Sequence, residues 1–339
     1  MTRKYRLSLL SEQQGNAQTL AVDSQDAYII ASALTLRDMM RIARVLLLLI
    51  APATLQAQTI DDGALLPGRA LSTGVVYAHE GWSQYWEGTL KRENGNIGTV
   101  TTQTITWTAG YGVSDRLSVM AMLPYVSTEA SQGPLHGMSG VQDFMLAAKY
   151  QILATPLTDR GTLRALIVGA AGIPASNYTP DFQPLSIGLA SRQLSGRFTL
   201  NFEARDGWFL NGSAGYTWRA NVKLDRPAYY TNGQLYLTDE VAMPDVVDYS
   251  IGAGFQQGRV CFPVSFFQQR TLGGGDIRRQ DTPFVSNRMD FARIDAMVMY
   301  RVPAPRNIGI RVGTSRIVSG RNVGQATTVT GGLFYTLHF

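Results

Sequence analysis

The sequence contains very few of the residues that build disulfides, metal clusters and nucleophilic active sites. It has one cysteine, Cys261, and three histidines, His79, His136 and His338, in 339 residues. One cysteine cannot form an internal disulfide or a cysteine-based metal cluster, and the three histidines lack zinc-ligand spacing. We therefore predict no catalytic residue, no metal site and no cofactor.

Charged residues and long apolar segments are also scarce. Only 16% of the residues are charged, and the net charge of +5 is not concentrated in runs of lysine or arginine. A nucleic-acid-binding surface usually has such a basic patch, so we predict no nucleic-acid partner. After Ala57, no stretch is long and apolar enough for a membrane-spanning helix, which needs about 20 residues.

Glycine and aromatic residues are abundant by comparison. The chain has 34 glycines, 15 tyrosines and 5 tryptophans. This composition is typical of strands that face lipid on one side and a packed or aqueous interior on the other. A soluble all-β protein is compatible with the same composition, so the sequence pattern must decide between them.

Residues 39–57 have the layout of a secretory signal peptide. Two arginines form a positive n-region, and the apolar stretch 45–50 is too short to span a bilayer. Small residues then lead to a predicted cleavage site after Ala57. A buried helix is the alternative interpretation of this segment.

The segment ahead of the signal peptide indicates that the chain start is assigned too early. An n-region normally begins a protein, yet residues 1–38 precede it and show no sustained periodicity. We interpret residues 1–38 as an upstream extension, with Met39 or Met40 as the first residue. The mature chain then begins near Gln58, and residues 58–339 form one exported domain.

From about residue 71 onward, apolar and polar residues alternate with a period of two. This period places one set of side chains on each face of a strand. In the clearest example, Trp208 to Trp218, one face has aromatic residues at both ends and small or aliphatic residues between them. A strand face that crosses a bilayer between two aromatic girdles has this pattern. A soluble β-sandwich also alternates, so the connections must be considered.

The alternation predicts about twelve strands. Their approximate ranges are 69–87, 97–112, 116–129, 139–152, 162–174, 191–204, 207–220, 246–257, 259–270, 289–302, 307–318 and 326–339. Short connections (113–115, 205–206, 257–258, 303–306) and a medium one (154–161) alternate with long ones. Because bacterial outer-membrane barrels have short turns opposite longer loops, we predict an all-β antiparallel transmembrane barrel in a Gram-negative outer membrane.

The chain ends on an apolar, aromatic strand face. Leu333, Tyr335, Leu337 and Phe339 share one face, and the last residue is aromatic. This ending resembles the C-terminal signal that the barrel-assembly machinery recognises. The expected partners are therefore that machinery, through Phe339, the outer-membrane lipid with its lipopolysaccharide, and a small-molecule solute.

Two stretches combine turn and strand residues in a specific order. Residues 111–117 read Tyr-Gly-Val-Ser-Asp-Arg-Leu, and residues 139–150 contain Gly140 and Asp143 in a G-x-x-D pattern followed by Lys149-Tyr150. These stretches resemble the outer-membrane family of the MetA pathway of phenol degradation, and the likeness covers about residues 70–339. The resemblance implies a barrel that passes small hydrophobic or aromatic compounds.

The same periodicity assigns charged side chains to the interior of the barrel. The candidate lumen-lining residues are Asp143, Lys149, Arg197, Arg219, Arg259, Arg293, Asp295 and Arg311. Because basic residues outnumber acidic ones on these faces, the lumen is predicted to favour anionic solutes. Alternatively, the charges pair across strands and fill a narrow barrel. Met120, Met122, Met297 and Met299 are assigned to the same faces, as a soft apolar path or as interior filler.

These features predict a passive channel or facilitator for small hydrophobic or aromatic compounds, including anionic ones. One alternative is an outer-membrane lipid hydrolase, which needs a serine within reach of a histidine. Neither His79 nor His136 lies beside a serine motif, so we predict that the chain is not an enzyme. The other alternative is a non-transporting structural or adhesion barrel that acts through long loops such as 221–245.

Overall fold

The part of the chain that the structure covers comprises three ranges. The computed structural model describes residues 59–278, 283–305 and 307–339. The predicted signal peptide and upstream extension lie outside the described residues, as does Arg306 of one predicted turn. No helix within the three ranges is long and apolar enough to cross a membrane.

Within these ranges, twelve long strands form one antiparallel sheet that closes on itself. They are β1 Ala70–Trp82, β2 Val100–Ser114, β3 Leu117–Ala130, β4 Asp143–Thr158, β5 Gly161–Pro174, β6 Gln193–Ala204, β7 Trp208–Arg219, β8 Asp245–Gln257, β9 Val260–Leu272, β10 Asp290–Arg301, β11 Ile308–Arg321 and β12 Thr327–His338. Sequential strands pair, and β1 closes the barrel because Leu71 lies opposite both Tyr111 of β2 and Leu337 of β12. The predicted twelve-stranded antiparallel barrel is confirmed.

The outer face of the barrel is apolar because alternate side chains of each strand point away from the lumen. On β7, Trp208 and Leu210 are each 58% exposed, whereas Ser213 on the other face is buried. Closed barrels satisfy every strand hydrogen bond internally, and such an apolar outer face contacts lipid hydrocarbon. The period of two in the sequence therefore separates lipid-facing from lumen-facing residues.

The two ends of the barrel differ, as predicted, but two strand boundaries were predicted incorrectly. β4 and β5 are joined by the two-residue turn Asp159-Arg160, so the medium connection predicted at 154–161 is wrong. Two bulges in β4 shift its register against β5, and each shift interrupts the alternation that the prediction used. The first predicted strand also ends early, at Trp82, and a short hairpin of Gln84–Glu87 with Leu90–Glu93 follows it.

Long loops occupy the end of the barrel opposite the short turns, here called the loop end. Their short strands are Ser139–Val141, Val222–Lys223, Tyr229–Thr231, Gln234–Tyr236 and Glu240–Val241. Residues from loops 220–244 and 283–289 form a buried apolar cluster around Tyr229 and Phe284, whose rings stack 5.1 Å apart. The loops therefore pack on one another at the loop end.

One turn at the short-turn end contains backbone strain. The chain reverses into β1 through a turn in which the Ala70 amide donates to the Pro67 carbonyl at 3.1 Å. Arg69 has φ of 62° there, a left-handed conformation that an L side chain disfavours by about 1–2 kcal/mol. We expect Arg69→Gly to increase the free energy of unfolding by about 1 kcal/mol, measured by urea titration in lipid vesicles.

Arg116 provides a matched control because it is also an exposed arginine at the short-turn end, and its φ is not among the positive values. Arg116→Gly should be neutral or destabilising, since glycine only increases the entropy of the unfolded chain there. Equal effects of the two substitutions would contradict the assignment of strain to Arg69.

Candidate functional site: the barrel lumen and its plug

Residues 59–66, here called the plug, lie inside the lumen and contact Lys149, midway along β4. Lys149 is fully buried, and its Nζ donates to the Thr59 carbonyl at 2.5 Å, the Ala64 carbonyl at 3.2 Å, and both the carbonyl (2.9 Å) and Oδ1 (2.8 Å) of Asp62. A buried ammonium is costly unless hydrogen-bonded. The plug therefore supplies the oxygen atoms that this lysine requires.

The wall of the barrel holds the plug at further points. The Asn211 amide donates to the Asp61 carbonyl at 2.8 Å, and the Leu66 amide donates to Ser118 Oγ at 3.1 Å. Gly63 is so close to the wall that a Cβ at this position would clash with the Asn201 side chain. Only glycine fits this approach, so the plug lies flat against β6 and β7.

The plug makes the charge of the lumen more negative than the strand residues alone predict. It adds two carboxylates, Asp61 and Asp62, to the acidic side chains of the strands. Asp62 contacts Lys149, whereas the Asp61 carboxylate accepts no hydrogen bond from any residue in the described ranges. Burial raises the pKa of Asp61, and the nearby cations Arg197 and Lys149 only partly oppose this. The lumen is consequently less positive than the strand residues alone indicate.

The raised pKa of Asp61 predicts that the plug docks most tightly in acid. When the plug leaves the lumen, Asp61 regains an ordinary carboxyl pKa of about 3.9. The docked state favours the protonated acid, so this contribution is complete below the ordinary pKa and is lost as pH rises through the raised value. We expect the bilayer conductance of the native chain to increase as the pH rises above about 4, the ordinary carboxyl pKa.

Asp61→Asn is the control for this pH dependence because it removes the titrating group and keeps the side-chain shape. Its conductance should stay flat over the same range while Lys149, Arg197, Asp62 and Asp248, the charges around Asp61, remain in place. The same pH profile in the native chain and in the variant would contradict the assignment.

Several predicted lumen charges form ion pairs on the inner faces of the strands. Arg197 of β6 contacts Asp248 of β8 at 2.5 Å, and both side chains are buried. The pair crosses over Gly215 of β7, where a Cβ would lie 2.8 Å from Asp248 Oδ2. Arg293 contacts Asp295 at 2.8 Å and lies over the Phe267 ring. Pairing across strands, the alternative from the sequence, therefore describes Arg197 and Asp248, whereas Arg293 and Asp295 pair along one strand, β10.

The remaining predicted basic residues have other neighbours. The Arg219 amide donates to Asp245 Oδ1 at 3.0 Å, and the Arg311 guanidinium lies 5.0 Å from the centre of the Phe334 ring. Arg259 lies in the turn between β8 and β9, where its carbonyl accepts from the Arg301 amide at 2.9 Å. The involvement of these residues in solute passage stays a prediction.

Asp143 holds a long loop at the loop end, just as Lys149 holds the plug. The Tyr178 hydroxyl donates to Asp143 Oδ1 at 2.6 Å and accepts from the Ala190 amide at 2.8 Å. Burial raises the pKa of Tyr178, and the hydrogen bond to Asp143 adds to this. Ile187 of the same loop packs against Val126 on the inner face of β3. Asp143 of the G-x-x-D pattern therefore anchors a long loop, and Lys149 of the K-Y pattern anchors the plug. Both segments narrow the lumen.

A cavity of about 270 Å³ remains between the plug and the wall formed by β6 to β10. Its apolar lining includes Phe209, Phe267, Met297 and Met299, and the single thiol, Cys261, also lines it. A second cavity of about 430 Å³ at the short-turn end shares five of its lining residues, which are Gly63, Ala64, Glu203, Phe209 and Gln256. The two cavities therefore adjoin along one side of the plug.

Sequence reasoning placed the methionines on the inner faces but did not find the plug. Met297 and Met299 line the cavity, whereas Met120 packs with Ala147, Val168 and plug residue Ile60 as interior filler. Residues 59–69 have no strand periodicity, so nothing local indicated that they enter the lumen. The available signal was Lys149 itself, a lysine on a narrow inner face for which no acidic partner on a neighbouring strand was evident.

Comparison with known proteins agrees with the fold. The COG4313 outer membrane channel from Pseudomonas putida F1 is similar, with a TM-score of 0.63, 14% identity, and coverage of 84% of this chain and 100% of that one. The translocator domain of autotransporter NalP from Neisseria meningitidis is less similar, with a TM-score of 0.43, 11% identity, and coverage of 82% and 90%. No curated protein sequence matches the chain.

The closed sheet, the apolar outer face and the segment inside the lumen define an outer-membrane β-barrel with an internal plug. A family model described as "Putative MetA-pathway of phenol degradation" matches residues 87–330, most of the chain. The chain belongs to this family, and the resemblance found in the sequence is confirmed.

Proposed function

We propose that the protein is a passive outer-membrane channel for small hydrophobic or aromatic compounds. The observation that carries the proposal is the 270 Å³ cavity inside the lumen, where two phenylalanines and two methionines provide an apolar wall. Ligand sites are usually concave and mostly apolar, with a few polar groups that fix orientation.

The route of a solute follows from the arrangement of the two cavities. A compound entering from the loop end reaches the apolar cavity beside Phe267 and then passes Gln256 to the second cavity at the short-turn end. The plug borders both cavities and is held by Lys149. The path is therefore narrow in the docked state and widens if the plug moves.

The proposal includes export and assembly of the chain. We propose that the signal peptide 39–57 is removed after Ala57, that residues 1–38 precede the true start, and that Phe339 is read by the barrel-assembly machinery. Thr59 already lies inside the lumen at Lys149, which supports a mature N-terminus near Gln58. We also propose contact with lipopolysaccharide, and the apolar outer face supports it because that face suits acyl chains. That the protein is not an enzyme stays a prediction. His79 lies on the outward face of β1, opposite Val329, and this position argues against a catalytic serine–histidine site in the lumen.

Planar-bilayer conductance of the chain purified from outer membranes tests the channel. We expect a small steady conductance that an aromatic solute reduces by occupying the cavity. Met299→Trp should fill the apolar wall and weaken this block, because an added indole occupies the space of the solute. Val298→Trp is the matched control, since Val298 is the adjacent residue of β10 and is 44% exposed on the lipid-facing side.

The outcomes separate the candidate functions. Block that is lost in Met299→Trp and kept in Val298→Trp supports the channel. An inserted barrel with no conductance and no response to any aromatic compound would contradict it and favour a structural or adhesion role for the packed loops.

A further inference from the structure

The carboxylates that line the apolar cavity differ in whether they have an ion-pair or hydrogen-bond partner. Four acidic side chains line it, namely Asp61, Asp62, Glu203 and Asp295. Glu203 contacts Arg164 at 2.5 Å, Asp295 contacts Arg293 at 2.8 Å, and Asp62 contacts Lys149 at 2.8 Å. Asp61 alone among these four has no ion-pair or hydrogen-bond contact at its carboxylate within the described residues.

The two cations that interact electrostatically with Asp61, Arg197 and Lys149, already donate hydrogen bonds to other groups. Arg197 donates from Nη2 to Asp248 at 2.5 Å and from Nη1 to Ser213 at 2.8 Å. Lys149 makes its four contacts with other plug atoms. The Asp61 carboxylate therefore keeps acceptor capacity in a cavity that two phenylalanines and two methionines line in part. Such a group costs free energy unless a donor reaches it.

We propose that Asp61 is the recognition group of the cavity, and that the preferred ligand is a small apolar ring with a hydrogen-bond donor. A hydroxyl or an ammonium provides this donor. A ring carboxylate provides only acceptors and repels Asp61, and a plain hydrocarbon provides no donor. This inference rests on the proposed function and replaces the preference for anions that the strand charges indicate. It also makes the plug part of the binding site, since Asp61 is a plug residue.

The single cysteine makes ligand binding measurable without transport. Cys261 lines the same cavity, so a bound ring should slow its reaction with N-ethylmaleimide. Four probes of matched size are benzyl alcohol, benzylammonium, benzoate and toluene. We expect benzyl alcohol and benzylammonium to protect Cys261 at concentrations about tenfold lower than toluene or benzoate, because a hydrogen bond to a charged group is worth roughly that factor.

Asp61→Ala should remove the advantage of the two donors, and Asp159→Ala should keep it, since Asp159 is an exposed acid in a turn outside the cavity. If Asp61→Ala does not insert as a barrel, Asp61→Asn and the comparison of benzyl alcohol with benzoate on the native chain remain decisive. Equal protection by all four probes, or best protection by benzoate, overturns the role of Asp61 and leaves the channel standing. No protection and no conductance block by any probe removes the proposed function as well.

Discussion

Replacing Lys149 with methionine is expected to release the plug and to raise the bilayer conductance strongly. The ammonium group makes four hydrogen bonds to plug atoms, and one of them is also an ion pair with Asp62. Removing one member of a buried charge pair typically costs about 3–5 kcal/mol. At the lower figure, the ratio of docked to released plug falls by more than about a hundredfold. Single-channel recordings should therefore show a larger and longer-lived open level.

Lys223→Met is the control for this experiment. Lys223 is an exposed lysine in a loop, so the substitution removes the same ammonium group. Within the described residues it contacts no plug atom. Its conductance should match that of the native chain. If Lys149→Met inserts normally and its conductance is unchanged, the plug does not limit the open state and Lys149 has only a packing role.

The second large effect is expected at the buried pair of Arg197 and Asp248. Arg197→Met leaves the Asp248 carboxylate in a buried position next to Gly215, without its ion-pair partner. An uncompensated buried charge typically destabilises a protein by about 3–5 kcal/mol. We expect a loss of this size in the free energy of unfolding, measured by urea titration of the barrel in lipid vesicles.

The double variant Arg197→Met with Asp248→Leu distinguishes an ion pair from general disruption. When both charges are removed, neither is left unpaired, so the double variant should be more stable than Arg197→Met alone. Additive losses would show that the two residues do not interact, in spite of the 2.5 Å contact.

The strands could be predicted from the sequence because their signal is local. Predicted ranges such as 207–220 and 246–257 differ by one residue at the ends from Trp208–Arg219 and Asp245–Gln257. In a membrane barrel the lipid determines which face of a strand is apolar. The sequence of each strand therefore shows a period of two by itself. The prediction failed at β4, where bulges break the period, because a bulge depends on the neighbouring strand.

The same logic explains which part of the candidate site was predictable. The inward faces of Lys149, Arg197 and Arg293 follow from the strand period, since each side chain needs only its own strand to set its direction. Their partners do not follow from it. Arg197 and Asp248 are 51 residues apart, and which charges meet depends on the register of three adjacent strands.

The sequence by itself determined the fold class, the family, the lipid-facing band and the inward direction of the lumen charges, because each is encoded within one strand or motif. Only the tertiary structure decided that the lumen is plugged and that the Asp61 carboxylate has no hydrogen-bond or ion-pair partner among the residues that the structure describes. The plug has no periodicity of its own and its contacts span 87 residues to Lys149 and 150 to Asn211. Interactions of that kind exist only after the barrel closes around the segment that they hold.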